Sequence, residues 1–426
     1  MTTARPEAVD LPDLAHPVYP EAAEPIRAAL AAYGSMLELT PTALMSTASE
    51  RTGLSQWGDP GFRERLELLC AALRDEAGLS QTGVAIAFEQ LVGNLVNRLR
   101  LEALIAAHPE IESIAIERPI IICGLPRSGT THLHNLIAAD PAIRSLPYWE
   151  SLEPFPALDD VDEQGRRARC SAGLELLDAS LPEFKRMHEM TVDHAHEEIQ
   201  LLANDISGML FETTYQVPSF AAHYRSHDQL PSYRYLKRSL QALQWLRGGT
   251  RWVLKSPQHL EQFPTVLASF PDATFVVTHR DPVEVTRSLV TMVAYASRMA
   301  NDHPDPRAIG RYWLHRAEDL LNGCLRDRDV LPGEQSIDVR FADFMADENA
   351  TLSAIYRVAG QPYTEGVRAS MAAFSASHPR GRHGGINYDP AAIGIDPDDA
   401  GQRLSDYRDR FVAAGRPQQV PARPAG

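Results

Sequence analysis

Residues 121–137 read IICGLPRSGTTHLHNLI. Gly124 and Gly129 bracket a short loop, and Thr130 and Thr131 follow directly. Glycines let a backbone turn sharply and approach a ligand closely. Successive N–H groups at a helix N-terminus form a cradle for an anion. The hydroxyls of Ser128, Thr130 and Thr131 add donors. Such a loop grips phosphate. In the pattern GxxxxGK[ST] a lysine follows the second glycine. Here Thr130 stands in that place, and the cation is Arg127, inside the loop. No clear apolar strand ends in the aspartate that would help hold Mg²⁺ beside a triphosphate. A kinase-like P-loop NTPase therefore fits less well than an enzyme acting on a metal-free phosphate ester, and stays as the alternative.

Two further stretches carry chemistry. THRDPVEVTRS places Arg280 after an apolar run and Ser288 eight residues on. An arginine can hold an oxyanion with two N–H groups, and a serine on the following helix adds a hydroxyl. RWVLK ends in Lys255, one of only three lysines, with Lys185 and Lys237, among 41 basic residues.

These residues need a scaffold that brings them together. Four apolar runs, PIIICG (119–124), RWVLKS (251–256), ATFVVTHR (273–280) and QSIDVRF (335–341), have the length and composition of buried parallel strands. Helical periodicity lies between them. The fold class is α/β: a P-loop-type parallel sheet flanked by helices. Ligands of such sheets bind beyond the C-terminal strand ends, where Arg127, Lys255 and Arg280 fall. Residues 1–115 read as a helical N-terminal extension packed on the core, with residues 1–25 Pro/Ala/Glu-rich and draped or disordered. Residues 116–426 form the main domain, with a helical insertion at about 150–250 as the place for an acceptor pocket. The segment RLSDYRDRFVAA predicts a last amphipathic helix.

The formal charge of −15 disfavours nucleic acid and anionic membranes as partners. Any anion site must be local. Cys70, Cys123, Cys170 and Cys324 lack metal or redox spacing and read as buried free thiols. The first residues lack an apolar signal core, and no apolar run of about 18 residues predicts a membrane span. A cytoplasmic enzyme is expected. The oligomeric state is open, and a homo-oligomer is compatible with the sequence.

GLPRSGTT resembles the 5′-phosphosulfate loop of sulfotransferases that use 3′-phosphoadenosine-5′-phosphosulfate (PAPS). Arg280 and Ser288 match that family's 3′-phosphate motif. The layout of LKSPQHLEQFPTVLASFPDATFVVTHRDPVEVTRS is similar to tyrosylprotein sulfotransferases, and residues from about 40 to 415 fit bacterial members. The resemblance implies a PAPS-dependent sulfotransferase moving a sulfuryl group to a hydroxyl or amine by in-line displacement, with no metal required. Arg127, Ser128, Gly129, Thr130 and Thr131 would hold the 5′-phosphosulfate, and Arg280 and Ser288 the 3′-phosphate. Lys255 would stabilise the transition state. Arg380 and Gly381, with Arg382 and Gly384 in PRGRHGG, resemble the loop closing over the adenosine 3′-phosphate.

The base stays open among three candidates. Glu150 in PYWES comes first. Glu198 or His196 in DHAHEE follows, a cluster that a metal could also use. His259, four residues after Lys255, is third. Tyr148, Trp149, Phe211, Tyr215, Phe220, Tyr224 and Tyr233 are candidates for an apolar acceptor pocket, or for core. The acceptor reads as a small or lipid-like molecule.

Overall fold

The computed structural model describes residues 6–157, 163–379 and 381–413. Four strands form, each within an expected apolar run: β1 (Ile120–Cys123), β2 (Val253–Lys255), β3 (Thr274–His279) and β4 (Ser336–Arg340). All pair in parallel, in the order β2-β1-β3-β4. Side chains of a strand alternate between faces, and the core divides accordingly. Ile121, Cys123, Leu254, Phe275 and Val277 face one apolar layer, with the helices Leu230–Arg247, Pro282–Ala296 and Pro306–Asp327. Ile120, Ile122, Val253, Val276, Ile337 and Val339 face the other, with the helices Thr130–Ala138 and Glu348–Ala359. The sheet is thus covered on both sides, as its continuous apolar runs require.

β1 is central, and the chain leaves it toward β2 on one side, whereas β3 leads to β4 on the other. The crevice between the β1 and β3 exits is the switch point where an open parallel sheet offers a binding site. Gly124 is needed there for space. A Cβ on it would lie 2.0 Å from Thr278 Oγ1 of β3 and 3.1 Å from Ser128 Oγ. Because it has none, the loop after β1 lies flat on the end of β3.

The helices Pro41–Thr52, Phe62–Asp75 and Gln81–Ala107 occupy the expected N-terminal helical region. The last is long enough to join two cores. Leu91, Leu95 and Leu99 pack with Phe211, Tyr215 and Phe220 of the insertion, while Leu101, Leu104 and Ile105 reach the sheet-side core. Buried Arg98 fixes the junction, with Nη1 on Asp205 at 2.7 Å and its other nitrogens on the Trp57 and Asp59 carbonyls.

Residues 6–16 drape over the surface. Val9 forms a parallel bridge with Ile386, and Asp13 pairs with buried Arg298 at 2.8 Å. The last expected helix, 403–414, is helical over Ser405–Tyr407 and continues in a wider turn, Arg408–Val412, with residue 414 outside the described residues. There Tyr407 OH meets His279 Nδ1 at 2.7 Å, and Phe411 stacks on the same imidazole. All four cysteines are free and buried. No helix among the described residues is long and apolar enough to cross a membrane.

Gly124→Ala should lower stability by about 1–3 kcal/mol or more through overpacking against Thr278. The urea midpoint will show this. An unchanged midpoint would mean that the loop does not need this close approach.

Candidate active site

The loop after β1 is held by its own groups before any ligand arrives. Ser128 N–H donates to Leu125 O at 3.2 Å, its Oγ donates to the same carbonyl at 2.6 Å, and Oγ also meets Thr278 Oγ1 at 3.0 Å. Ser128 therefore shapes the loop, with its donors directed inward. Gly129 (φ 90°) turns the chain into the helix Thr130–Ala138. Arg127 also has a left-handed backbone, at φ 74°. That costs a non-glycine residue on the order of 1 kcal/mol and marks a site held by its surroundings. Its guanidinium donates to Met187 O, and Nε donates to Ser288 Oγ at 3.1 Å.

Arg280 arrives from β3. Its Nη1 donates to Arg127 O at 2.9 Å, it pairs with Glu284 at 3.3 Å, and its guanidinium lies over the Phe341 ring at 4.3 Å. A cleft of about 470 Å³ opens beside these groups, a size suited to a small-molecule ligand. Arg127, Gly129, Thr130, Thr131 and Arg280 line its sheet side. Gly381, Arg382, His383 and Gly384 line the far wall. Arg380 lies outside the described residues. Ser288 stands just behind Arg127.

Lys255 ends β2, buried and not among the residues lining the cleft, with Nζ ion-paired to Glu197. Glu198 is fully buried beneath it. One carboxylate oxygen accepts from Lys255 N–H at 2.8 Å, and the other meets His259 Nε2 at 2.5 Å. His259 Nδ1 in turn meets Tyr233 OH at 2.8 Å. Burial pushes the Glu198 carboxyl up, but the His259 bond and charge, with backbone N–H bonds, bring it below the usual value. Glu198 and His259 thus form a satisfied pair under β2, neither lining the cleft. Glu150 is also fully buried, held by Arg144 at 2.6 Å and Arg247 at 3.0 Å. Both of its oxygens are occupied, and it too stands away from the cleft.

The segment between Met187 and Glu198 carries three imidazoles. His188 and His194 line the cleft, and buried His196 does not but is hydrogen-bonded to His194. One ligating nitrogen from each lies within 4.8 Å of the others, a grouping compact enough to hold a metal ion. Burial holds all three neutral, and the nearby Lys255 charge adds to the effect; His194 is pushed down to about 4. His194 Nδ1 lies 2.7 Å from Thr191 O and 3.1 Å from Thr191 N, and its Nε2 lies 3.0 Å from His196 Nδ1, so the two imidazoles are joined by a hydrogen bond. The sequence placed His194 and His196 together in the DHAHEE cluster, as a base with an orienting partner, but did not point to His188. The signal was the spacing of three histidines within nine residues, HEMTVDHAH. Of the aromatic candidates, Trp149, Phe211, Tyr215, Phe220, Tyr224 and Tyr233 are buried core. Tyr148 packs against His196, with ring centroids 4.6 Å apart.

The profile of the sulfotransferase family matches residues 119–365. In structure, the chain is similar to the sulfotransferase STF9 from Mycobacterium avium, with a TM-score of 0.79 and 26% identity over 88% of this chain and 97% of that one. It is also similar to the sulfotransferase STF1 from Mycobacterium tuberculosis H37Rv, with a TM-score of 0.73 and 28% identity over 86% and 98% of the two chains. No curated protein matches it by sequence.

Two outcomes follow from the buried groups. Glu150→Gln should cost about 3–5 kcal/mol of stability, because it leaves two arginines short of their partner. Chemical denaturation measures this; a stable variant with lost turnover would instead return Glu150 to the chemistry. His134, His196 and His279 are buried, and burial holds each below the usual histidine value, His134 at about 3. The unfolded chain takes up these protons near pH 6.5, whereas the folded chain does not. Their contribution is therefore present above about pH 6.5 and is lost as pH falls, by about 1.4 kcal/mol per pH unit for each group. Denaturation midpoints at pH 7 and pH 5 test this, and equal midpoints would refute it.

Proposed function

The chain belongs to the sulfotransferase family and transfers a sulfuryl group, and we propose that its donor is PAPS and its acceptor the hydroxyl or amine of a small or lipid-like molecule. The observation that carries the donor is the convergence of Arg127, Thr130, Thr131 and Arg280 on one cleft, with Ser288 behind Arg127. The Gly129–Thr131 backbone and Arg127 receive the 5′-phosphosulfate. Arg280 and Ser288 receive the 3′-phosphate, and Gly381–Gly384 lie on the adenosine side. The matching family does not favour the kinase-like alternative.

In the reaction, the acceptor oxygen forms a bond to sulfur as the sulfur–oxygen bond to the 5′-phosphate breaks. The bonding pair goes to the leaving phosphate oxygen. Lys255 opposes that developing charge, released from Glu197. His196 takes the acceptor proton, held in place by its hydrogen bond to His194. The displacement needs no metal. Residues 1–115 serve as an extension of the core, and the helical segments between β1 and β2 supply the acceptor side. The charge of −15 and the absence of a membrane-crossing helix among the described residues support a cytoplasmic setting without nucleic-acid partners.

Calorimetry should find metal-independent binding of adenosine 3′,5′-bisphosphate that Arg280→Ala weakens sharply. No binding to the wild type would end the donor assignment. Lys255→Ala should lower turnover far more than donor affinity. In single-turnover assays His196→Ala should slow transfer by about 10²–10⁴-fold, with partial rescue by added imidazole. An undiminished rate would exclude His196 as the base.

A further inference from the structure

Tyr388 has no part in the roles assigned above, yet its hydroxyl lies 2.9 Å from Ser288 Oγ. The donors and acceptors in this chain can be worked out in order. A guanidinium has no lone pair to offer, so Arg127 Nε–H donates to Ser288 Oγ at 3.1 Å. Ser288 then gives its own hydrogen to the Tyr388 oxygen. The hydrogen of the Tyr388 hydroxyl is left without an acceptor among the described residues. A free donor therefore stands next to the serine assigned to the 3′-phosphate.

The position of this donor is fixed from two sides. Val9 N–H donates to Gly385 O at 3.1 Å, and Asn387 N–H donates to Val9 O at 2.9 Å. Asn387 Nδ2 reaches Asp10 at 2.9 Å, and Arg287 Nη2 reaches Tyr388 O at 3.4 Å. The same tail forms the wall of the cleft at Gly381–Gly384. Tyr388 is thus set against Ser288 by backbone pairing with the N-terminal segment and by the helix that carries Ser288 itself.

Resting on the donor assignment above, we propose that Tyr388 is a ligand of the 3′-phosphate, donating its hydroxyl hydrogen to a phosphate oxygen held also by Ser288. A hydrogen bond to a phosphate is charge-assisted and stronger than one between neutral groups. When the phosphate arrives, the Ser288 hydroxyl turns from Tyr388 to the phosphate, and the two hydroxyls act side by side. The chain would then tell a 3′-phosphorylated nucleotide from its plain 5′-monophosphate partly through this tyrosine.

Calorimetry with two ligands tests the assignment in the full-length protein. Tyr388→Phe keeps the ring and its packing and should leave the melting temperature nearly unchanged. It should weaken adenosine 3′,5′-bisphosphate by about 10- to 100-fold, with adenosine 5′-monophosphate binding unaltered. Unchanged bisphosphate affinity, or an equal loss for both nucleotides, would overturn the proposal. The latter result would mean that the hydroxyl only supports the loop. If the wild type itself does not prefer the bisphosphate, the donor assignment fails, and this proposal with it.

Discussion

The parallel pairing of β1 with β3 is the constraint on which the rest depends. Its register, Cys123 against Val277, brings the loop after β1 onto the end of β3. Gly124 allows the contact, and Ser128 and Thr278 join across it. Arg127 and Arg280, far apart in sequence, then become neighbours through one hydrogen bond. β2 on the other side of β1 delivers Lys255. The sheet thus concentrates positive charge at one place on a chain whose overall balance is strongly negative.

Like charges gathered in this way must be compensated while no anion is present. Lys255 pairs with Glu197, Arg280 with Glu284, and Arg382 with Glu189. Arg127 rests on the Met187 carbonyl and Ser288. A phosphorylated donor of the kind proposed above would exchange partners with these groups, so its net affinity would be the difference between the new contacts and the old.

Much of this was legible in the sequence. The four apolar runs placed the strands to within two residues at each end, because buried parallel strands have no alternating polar face to confuse them. The glycine spacing and the Arg280–Ser288 pair located the cleft, because those residues act through local geometry. The acceptor side was harder. Glu150, Glu198 and His259 all have the chemistry of a base, and nothing in a one-dimensional pattern tells a carboxylate open to a cleft from one enclosed by Arg144 and Arg247. His188 and His194 gain their meaning only when the chain folds back against Tyr148. Tyr388 is held close to Ser288 by Arg287 and by the pairing of Val9 and Asp10 with the tail, contacts that no periodicity encodes.

The pairing of Val9 with Ile386 and of Asp10 with Asn387 has a consequence for how the molecule is made. The Asp10–Asn387 contact spans 377 residues of the chain. During synthesis, Asp10 leaves the ribosome long before Asn387. Closing so long a loop costs entropy that contacts already formed offset. The pairing that sets the wall of the cleft near Gly381–Gly384 is therefore expected to form after the sheet and its helices, late in folding.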